Sequence, residues 1–192
     1  PDAPRQSQNN SHARNIMDDG APRVMIIGRR LFLAGLAASL PALALAQDDA
    51  SVGPATGLPM PRFVSLKSSE ANVRRGPSLN HRVDWVFRHR GTPLEITAEF
   101  ENWRRVRDAD GAGGWVHYTL LSGVRTVLVR VENSPLYDQP RENSNIRARA
   151  EDGVIARLGS CTLDWCELSV DGNSGWMPKS VLWGVSADEI RD

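Results

Sequence analysis

From Phe63 onward, hydrophobic and polar residues alternate in short runs that are separated by turns rich in glycine, aspartate and asparagine. In the clearest run, Trp103 opens an alternating segment, residues 108–113 form a turn, and a Gly-Trp pair opens the return segment. The same order recurs after Trp165, about 62 residues later. Alternation with a period of two, interrupted by such turns, predicts β-hairpins. The chain therefore contains the same predicted hairpin twice.

The remaining pattern predicts five short strands in each repeat and few helices, so the fold class is all-β. The predicted strands are 71–75, 83–88, 93–98, 103–108 and 115–117 in the first repeat, and 127–132, 136–138, 154–158, 165–170 and 176–177 in the second. Five short strands with frequent turns suit a small barrel, because closing the sheet limits its exposed edges.

The N-terminal segment has a different character. Residues 1–24 are polar without periodicity, and we expect them to be disordered or to lie upstream of the true start. In residues 25–46, two arginines precede an apolar run that ends in Ala-Leu-Ala, which predicts a secretory signal peptide cleaved after Ala46. Residues 47–62 are rich in Asp, Gly, Pro and Ser and are predicted to be a flexible linker.

Two questions about this segment stay open at the level of sequence. An uncleaved membrane anchor is the alternative to a cleaved signal, although the apolar run is shorter than the roughly 20 residues that span a bilayer. The run Arg29-Arg30-Leu31-Phe32-Leu33 resembles the core of a twin-arginine signal, and the alternative is the general secretory route. Either route predicts a periplasmic or secreted protein with no membrane span after cleavage.

The balance of basic and acidic residues argues against two classes of partner. The chain has 23 basic and 23 acidic residues, and the part after the signal carries a small net negative charge. Such a balance provides no field that would attract nucleic acid or an anionic membrane surface, so neither is predicted as a partner.

Two segments of the first repeat resemble a known family. Residues 71–78 (Ala-Asn-Val-Arg-Arg-Gly-Pro-Ser) are similar to the opening of bacterial SH3-like domains, and residues 102–117 are similar to their closing hairpin. The second repeat matches the closing hairpin but has Pro-Leu-Tyr-Asp at 135–138 in place of the opening motif. The resemblance implies two tandem SH3-like barrels, at 63–122 and 123–184, followed by a tail at 185–192.

The resemblance also implies a function. Such domains are non-catalytic modules that act outside the cytoplasm, near the cell wall, and bind peptidoglycan stem or bridge peptides or other proteins. The predicted partner is therefore peptidoglycan, with a periplasmic protein–protein adaptor as the alternative.

Strand parity places candidate ligand-binding residues on one face of each hairpin. Because alternate residues point to the same side of a strand, Trp103 and Arg105 lie opposite the core residue Val106. An aromatic ring among charges on an exposed face can hold a peptide or a sugar. The candidate residues are Trp103, Arg105, Trp115, His117 and Tyr118 in the first repeat and Trp165, Trp176 and Lys179 in the second. The alternative is that the tryptophans cap the barrel ends or pack in the cores.

The two cysteines, Cys161 and Cys166, flank a four-residue connection before the second hairpin. Opposed positions across such a loop suit a disulfide in an oxidising compartment, and a redox-active pair is the alternative. The sequence contains neither G-x-S-x-G nor H-E-x-x-H, and its histidines are scattered. No enzymatic activity, metal or cofactor is therefore predicted.

Overall fold

A computed structural model describes residues 51–192, and the segments predicted as a disordered start and a signal peptide lie outside this range. The described part is all-β, as predicted, with two seven-stranded antiparallel sheets. Strands β1 (Ser51–Val52) and β2 (Pro59–Met60) form a separate hairpin.

Barrel 1 is the first seven-stranded sheet, and barrel 2 is the second. The strands of barrel 1 are β3 (Arg62–Leu66), β4 (Ala71–Arg74), β5 (Val83–Phe87), β6 (Pro93–Phe100), β7 (Trp103–Arg107), β8 (Gly113–His117) and β9 (Leu121–Ser122). Those of barrel 2 are β10 (Thr126–Val129), β11 (Ser134–Tyr137), β12 (Ile146–Ala150), β13 (Ile155–Cys161), β14 (Trp165–Val170), β15 (Asn173–Pro178) and β16 (Leu182–Trp183). A short 3-10 helix precedes the last strand of each barrel, at Tyr118–Leu120 and Lys179–Val181.

The two sheets have the same topology. Their strand orders are β5-β4-β8-β7-β6-β3-β9 and β12-β11-β15-β14-β13-β10-β16, so each strand of barrel 1 has a counterpart seven strands later. The sequence pattern did not reveal β3, β9, β12 and β16. Each barrel encloses its own core, which includes Val106 and Val116 in barrel 1 and Leu168 and Met177 in barrel 2.

The predicted disulfide is present. Cys161 and Cys166 are bonded, and both are buried in the core of barrel 2, where they pair across β13 and β14. The bond ties the two strands together at the end opposite the β14–β15 turn.

The prediction of a flexible linker is wrong for residues 51–62, because the β1–β2 hairpin is anchored to barrel 1 by the buried carboxylate of Glu99. The backbone N–H groups of Ala55 and Thr56 each donate to Glu99 Oε2 at 3.0 Å, and the Thr56 hydroxyl donates to Oε1 at 2.8 Å. Arg62 pairs with Oε1 at 2.6 Å and Arg104 with the same oxygen at 3.3 Å. The composition of this segment is that of a linker, but a long-range partner orders it.

These contacts control the ionisation of Glu99, whose side chain is 0% exposed. Burial acts to raise the pKa of Glu99. The hydrogen bonds from Arg62, Thr56 and the Ala55 N–H, with the charge of Arg104, outweigh burial and lower the pKa to about 2. The carboxylate is therefore held in its charged form as the anchor of the N-terminal hairpin.

The barrels are joined by a short connection, residues 123–125, that is itself fixed in place. Arg125 pairs with Glu189 at 3.0 Å, and its guanidinium lies 5.6 Å from the ring centroid of Phe63 in barrel 1. Phe63 in turn meets Trp183 of barrel 2 edge to face, with ring centroids 5.2 Å apart. The Thr126 hydroxyl lies 2.6 Å from that of Ser65, so β10 is bonded directly to β3.

Candidate functional site

The outer face of the β7–β8 hairpin gathers four of the five predicted residues of barrel 1. Trp103 pairs with His117, and Arg105 pairs with Trp115, across the two strands. Side chains at paired positions point to the same side of an antiparallel sheet, so these four share one face. Val116 lies on the other face, in the core.

The structure corrects the exposure predicted for Trp103. Its side chain lies on the outer face, yet the residue is only 8% exposed. It meets the His117 ring edge to face, with centroids 5.5 Å apart, and forms the floor of a groove whose walls include Asn72, Leu79 and Leu120. The alternation of residues along the strand correctly predicted that Trp103 lies on the outer face. The loop after β4 and the 3-10 helix, which cover the ring, are not visible in the pattern of the hairpin itself.

Tyr118 lies beside His117 but does not line this groove. It is 48% exposed, and its ring centroid lies 5.1 Å from that of His117. The Arg104 guanidinium lies 5.9 Å from the Tyr118 ring centroid. His117 Nδ1 is 2.8 Å from the Thr119 hydroxyl, which fixes the orientation of the imidazole.

A charged row crosses the outer face beside the groove. Trp115 on β8 pairs with Arg105 on β7 and with Arg74 on β4, so the indole stands between two arginines. Arg105 is exposed, and Arg74 donates to the carbonyls of Leu79 and His81 at 3.0 and 2.7 Å. Arginine donors beside an aromatic ring suit a ligand that carries carboxylates.

Glycine allows this row to form. A Cβ added at Gly114 would lie 2.7 Å from the carbonyl oxygen of Arg74, and one at Gly175 would lie 2.5 Å from that of Tyr137. Both distances are too short for a real side chain, so glycine at these positions lets β4 and β11 approach β8 and β15 closely. The same device therefore brings Arg74 to Trp115 and Tyr137 to Trp176.

Barrel 2 presents the corresponding face with different residues. Trp165 pairs with Pro178, and Trp176 pairs with Glu167 on β14 and with Tyr137 on β11. Tyr137 and Trp165 meet edge to face at 5.5 Å. Trp176, like Trp115 in barrel 1, is half-buried and belongs to neither core cluster.

This repeated arrangement agrees with the comparison to protein families. The model of the bacterial SH3 domain matches residues 67–123 and, separately, residues 130–184, which together exceed half of the chain. The chain belongs to the bacterial SH3 domain family. Its two bacterial SH3 domains correspond to barrels 1 and 2.

Other comparisons add little. A search of curated proteins finds no match. The chain is similar to the solved structure of NlpC2 from Trichomonas vaginalis, with a TM-score of 0.31 and 13% identity, over 64% of this chain and 48% of that one. For NlpC1 from the same organism the TM-score is 0.30 and the identity 12%, over 68% of this chain and 48% of that one. The chain thus spans about half the length of these structures.

Residues 51–192 also lack the features of two other kinds of site. Over residues 51–192, no helix has the length and apolar character needed to cross a bilayer. The same residues contain no group of three or more His, Cys, Asp or Glu side chains arranged to hold a metal ion.

Lys179, which was predicted to bind ligand, is engaged in contacts within the chain. In the second bacterial SH3 domain its ammonium group is buried, and it donates to the carbonyl oxygens of Ala187 at 3.0 Å and Glu189 at 2.6 Å. Lys179 begins the 3-10 helix after Pro178, where the chain turns inward. Its role is to hold the C-terminal segment against barrel 2.

We therefore expect Lys179→Met to loosen the C-terminal segment by about 1–3 kcal/mol, because two carbonyls lose their charged donor. Hydrogen exchange should accelerate at the amides of residues 185–191 and remain unchanged in barrel 1. Lys67→Met, which removes an exposed lysine, is the matched control. Equal exchange in the two variants would contradict this role.

Three residues of the two faces were not predicted as ligand contacts, namely Arg74, Tyr137 and Glu167. Arg74 belongs to the N-V-R segment and Tyr137 to the P-L-Y-D segment, which both indicated only a fold. Glu167 shares a strand face with Trp165 in the sequence pattern. Strand pairing brings each of these residues next to a tryptophan. The pairs can be identified only once the order of the strands in the sheet is known.

Proposed function

We propose that the chain is an exported, non-catalytic binding module that holds peptidoglycan or its peptides on the outer face of barrel 1. The observation that carries the proposal is Trp115 between Arg74 and Arg105, next to a groove with an aromatic floor. Stem peptides are acidic, and arginine side chains bind carboxylates through charge-assisted hydrogen bonds. Bacterial SH3 domains often bind peptidoglycan, which supports this ligand class.

Export is part of the proposal. Its support is the sequence of residues 25–46, with two arginines, an apolar run and a small-residue cleavage site. The disulfide in barrel 2 is consistent with an oxidising compartment outside the cytoplasm.

The absence of catalysis is also proposed. Both cysteines are consumed by the disulfide, so neither thiol is available as a nucleophile. Purified chain incubated with peptidoglycan should therefore release no soluble fragments. Release of fragments would overturn this part of the proposal.

The ligand assignment is tested by co-sedimentation of residues 47–192 with purified sacculi. Arg105→Glu should weaken binding by at least about tenfold, because it reverses a charge in the arginine row and loses a charge-assisted hydrogen bond. Arg88→Glu makes the same charge change at an exposed arginine outside the site and should have no such effect.

Equal sedimentation of both variants and the parent would exclude the barrel 1 face as the binding surface. If the parent chain itself does not sediment, we would favour the alternative function, a periplasmic protein–protein adaptor. The next experiment would then be a search for a protein partner.

A further inference from the structure

A cavity of about 230 Å³ opens from the surface of barrel 2 toward its core. Its floor is apolar and consists of buried residues, among them Leu136, Leu168 and Met177. The exposed residues that line it include Glu151 and Asp171. An apolar cavity of about 150 Å³ is large enough to hold a benzene molecule. The cavity of barrel 2 therefore has room for an aromatic ring.

Barrel 1 fills the equivalent space with a side chain of its own. Phe87 pairs with Ala71 at the end of β5, and Ala150 pairs with Ser134 at the end of β12. The two strand pairs have the same register and a bulge at the same position, so Phe87 and Ala150 are equivalent. Phe87 is 6% exposed and belongs to the core of barrel 1, whereas Ala150 lines the cavity. An aromatic ring in one barrel thus corresponds to open space in the other.

Two further positions around the cavity are smaller than their counterparts in barrel 1. By the same comparison of strand pairs, Ala156 on β13 occupies the position of Leu94 on β6. Ala148 on β12 occupies the position of Trp85 on β5. Both alanines line the cavity together with Ala150. The open space is therefore a consequence of three alanines on two strands.

Larger residues elsewhere in the core of barrel 2 do not close the cavity. Met177 corresponds to Val116 of barrel 1, and Leu168 corresponds to Val106. Met177 and Leu168 both lie in the floor, where they add to its apolar surface. The sides of the cavity, at the alanines, stay open.

The cavity also lies beside an edge of the sheet. Within residues 51–192, β12 is the last strand of its sheet and pairs only with β11. Ala148 and Ala150 of this strand both line the cavity, so their side chains point to the inner side of the sheet. A strand added along β12 would place every second side chain on that same side. One of these side chains would then reach the cavity.

We propose that barrel 2 binds an extended polypeptide segment of a partner protein along β12 and takes a phenylalanine side chain of that segment into the cavity. Adding a strand to a sheet edge combines main-chain hydrogen bonds, which provide affinity, with pockets for alternate side chains, which provide specificity. The incoming ring would occupy the space that Phe87 fills in barrel 1 and would pack against Ala148, Ala150 and Ala156. Burial of one such ring against an apolar floor is favourable, because it removes apolar surface from water.

The same comparison explains why barrel 1 does not bind this segment in the same way. Its strand β5 is also the last strand of its sheet, so an edge is present there too. Phe87 already occupies the space that the incoming ring would need. All residues of the proposed site belong to barrel 2, so the site is separate from the outer face of barrel 1.

The site is tested with the full chain carrying carbon-13 in its methyl groups, titrated with the peptide acetyl-Ser-Thr-Phe-Thr-Ser-amide. The methyl signals of Ala150, Ala156 and Met177 should shift with a dissociation constant in the millimolar range. Those of Val116, in the core of barrel 1, should not shift. The peptide with alanine in place of phenylalanine should bind at least about tenfold more weakly, because it buries no ring.

Variants at Ala150 fill the cavity from within the chain. Ala150→Phe, which copies Phe87, should abolish binding of the phenylalanine peptide. Ala150→Leu is a smaller addition that keeps the test decisive if the ring disturbs the fold, and it should weaken binding about fivefold. Ala55→Phe makes the same change as the first variant at an exposed alanine outside barrel 2 and should leave binding unchanged.

Equal affinity for the two peptides, shifts that spare the methyl groups of the cavity, or unchanged binding in both Ala150 variants would each overturn the proposal. Benzyl alcohol supplies the ring without a peptide backbone. If it binds as tightly as the phenylalanine peptide, the site takes small aromatic molecules and its assignment to a polypeptide is wrong. Because the variants lie in barrel 2, these outcomes do not depend on whether Arg105→Glu reduces sacculus binding.

Discussion

Glu99→Gln is expected to lower the free energy of unfolding by about 3 kcal/mol at neutral pH. The shift of its pKa from 4.5 to about 2 corresponds to a stabilisation of that size. Removing the charge leaves Arg62 and Arg104 without their shared anion, and losing one partner of a buried pair is strongly destabilising. The β1–β2 hairpin should detach first, because its loop is held by the same carboxylate.

The lowered pKa of Glu99 also predicts that the folded chain loses stability in acid. The pKa of Glu99 is lower in the folded chain than in the unfolded chain, so its stabilisation is complete above about pH 4.5 and is lost as the pH falls toward 2. Urea denaturation at pH 7, 4 and 2.5 should show this loss in the parent. In Glu99→Gln the loss over that interval should be smaller, since the titrating group is gone.

Glu95→Gln is the matched control for this prediction. Glu95 also pairs with an arginine, Arg107, but the Arg107 side chain is 56% exposed, so the pair is expected to contribute much less. Equal stability of Glu99→Gln and Glu95→Gln would contradict the role of Glu99 as a buried anchor.

Trp103→Ala is expected to destabilise barrel 1 by about 3 kcal/mol, because it empties the floor of the groove beneath His117 and Leu120. Loss of sacculus binding in this variant would therefore report partly on folding. Trp103→Phe keeps a ring in the same position and should recover most of the stability. Thermal and urea unfolding of the three proteins provide the measurement.

Trp165 in barrel 2 provides a comparison for Trp103 within the same chain. Trp165 occupies the position equivalent to Trp103 but is more exposed, and it rests on Pro178 and Tyr137. Trp165→Ala should accordingly cost less stability than Trp103→Ala. A larger loss at Trp165 would show that exposure of the indole does not determine its contribution.

The fold was predictable from sequence because its determinants are local. Each closing hairpin is specified by a tryptophan, an alternating strand, a turn and a Gly-Trp pair within about fifteen residues. The same alternation placed Trp103 and Arg105 on the face opposite Val106, where the structure has them. The disulfide was predictable for a similar reason, since its two cysteines flank a single short connection.

The parts that sequence did not predict depend on contacts between distant segments. Glu99 orders a loop more than forty residues earlier, so residues 51–62 looked like a linker. Lys179 looked like a surface charge until the carbonyls of Ala187 and Glu189 were placed around it. Burial of Trp103 depends on a loop that follows β4, far from the hairpin. The strands that carry Trp103 and precede Lys179 were predicted, whereas the segments that cover these residues and the β1–β2 hairpin were not.

The contacts of Arg125 and the hydroxyl pair of Thr126 and Ser65 have a consequence for avidity. Domains on a flexible linker explore many separations, and their effective concentration for a second ligand site depends on linker length. Here the connection is three residues, 123–125, and it is fixed to both barrels. A polymer that engages both faces would thus gain affinity only if the groups that bind them matched the spacing that the barrels impose. The chain would therefore select ligands whose repeat spacing matches the distance between the two faces.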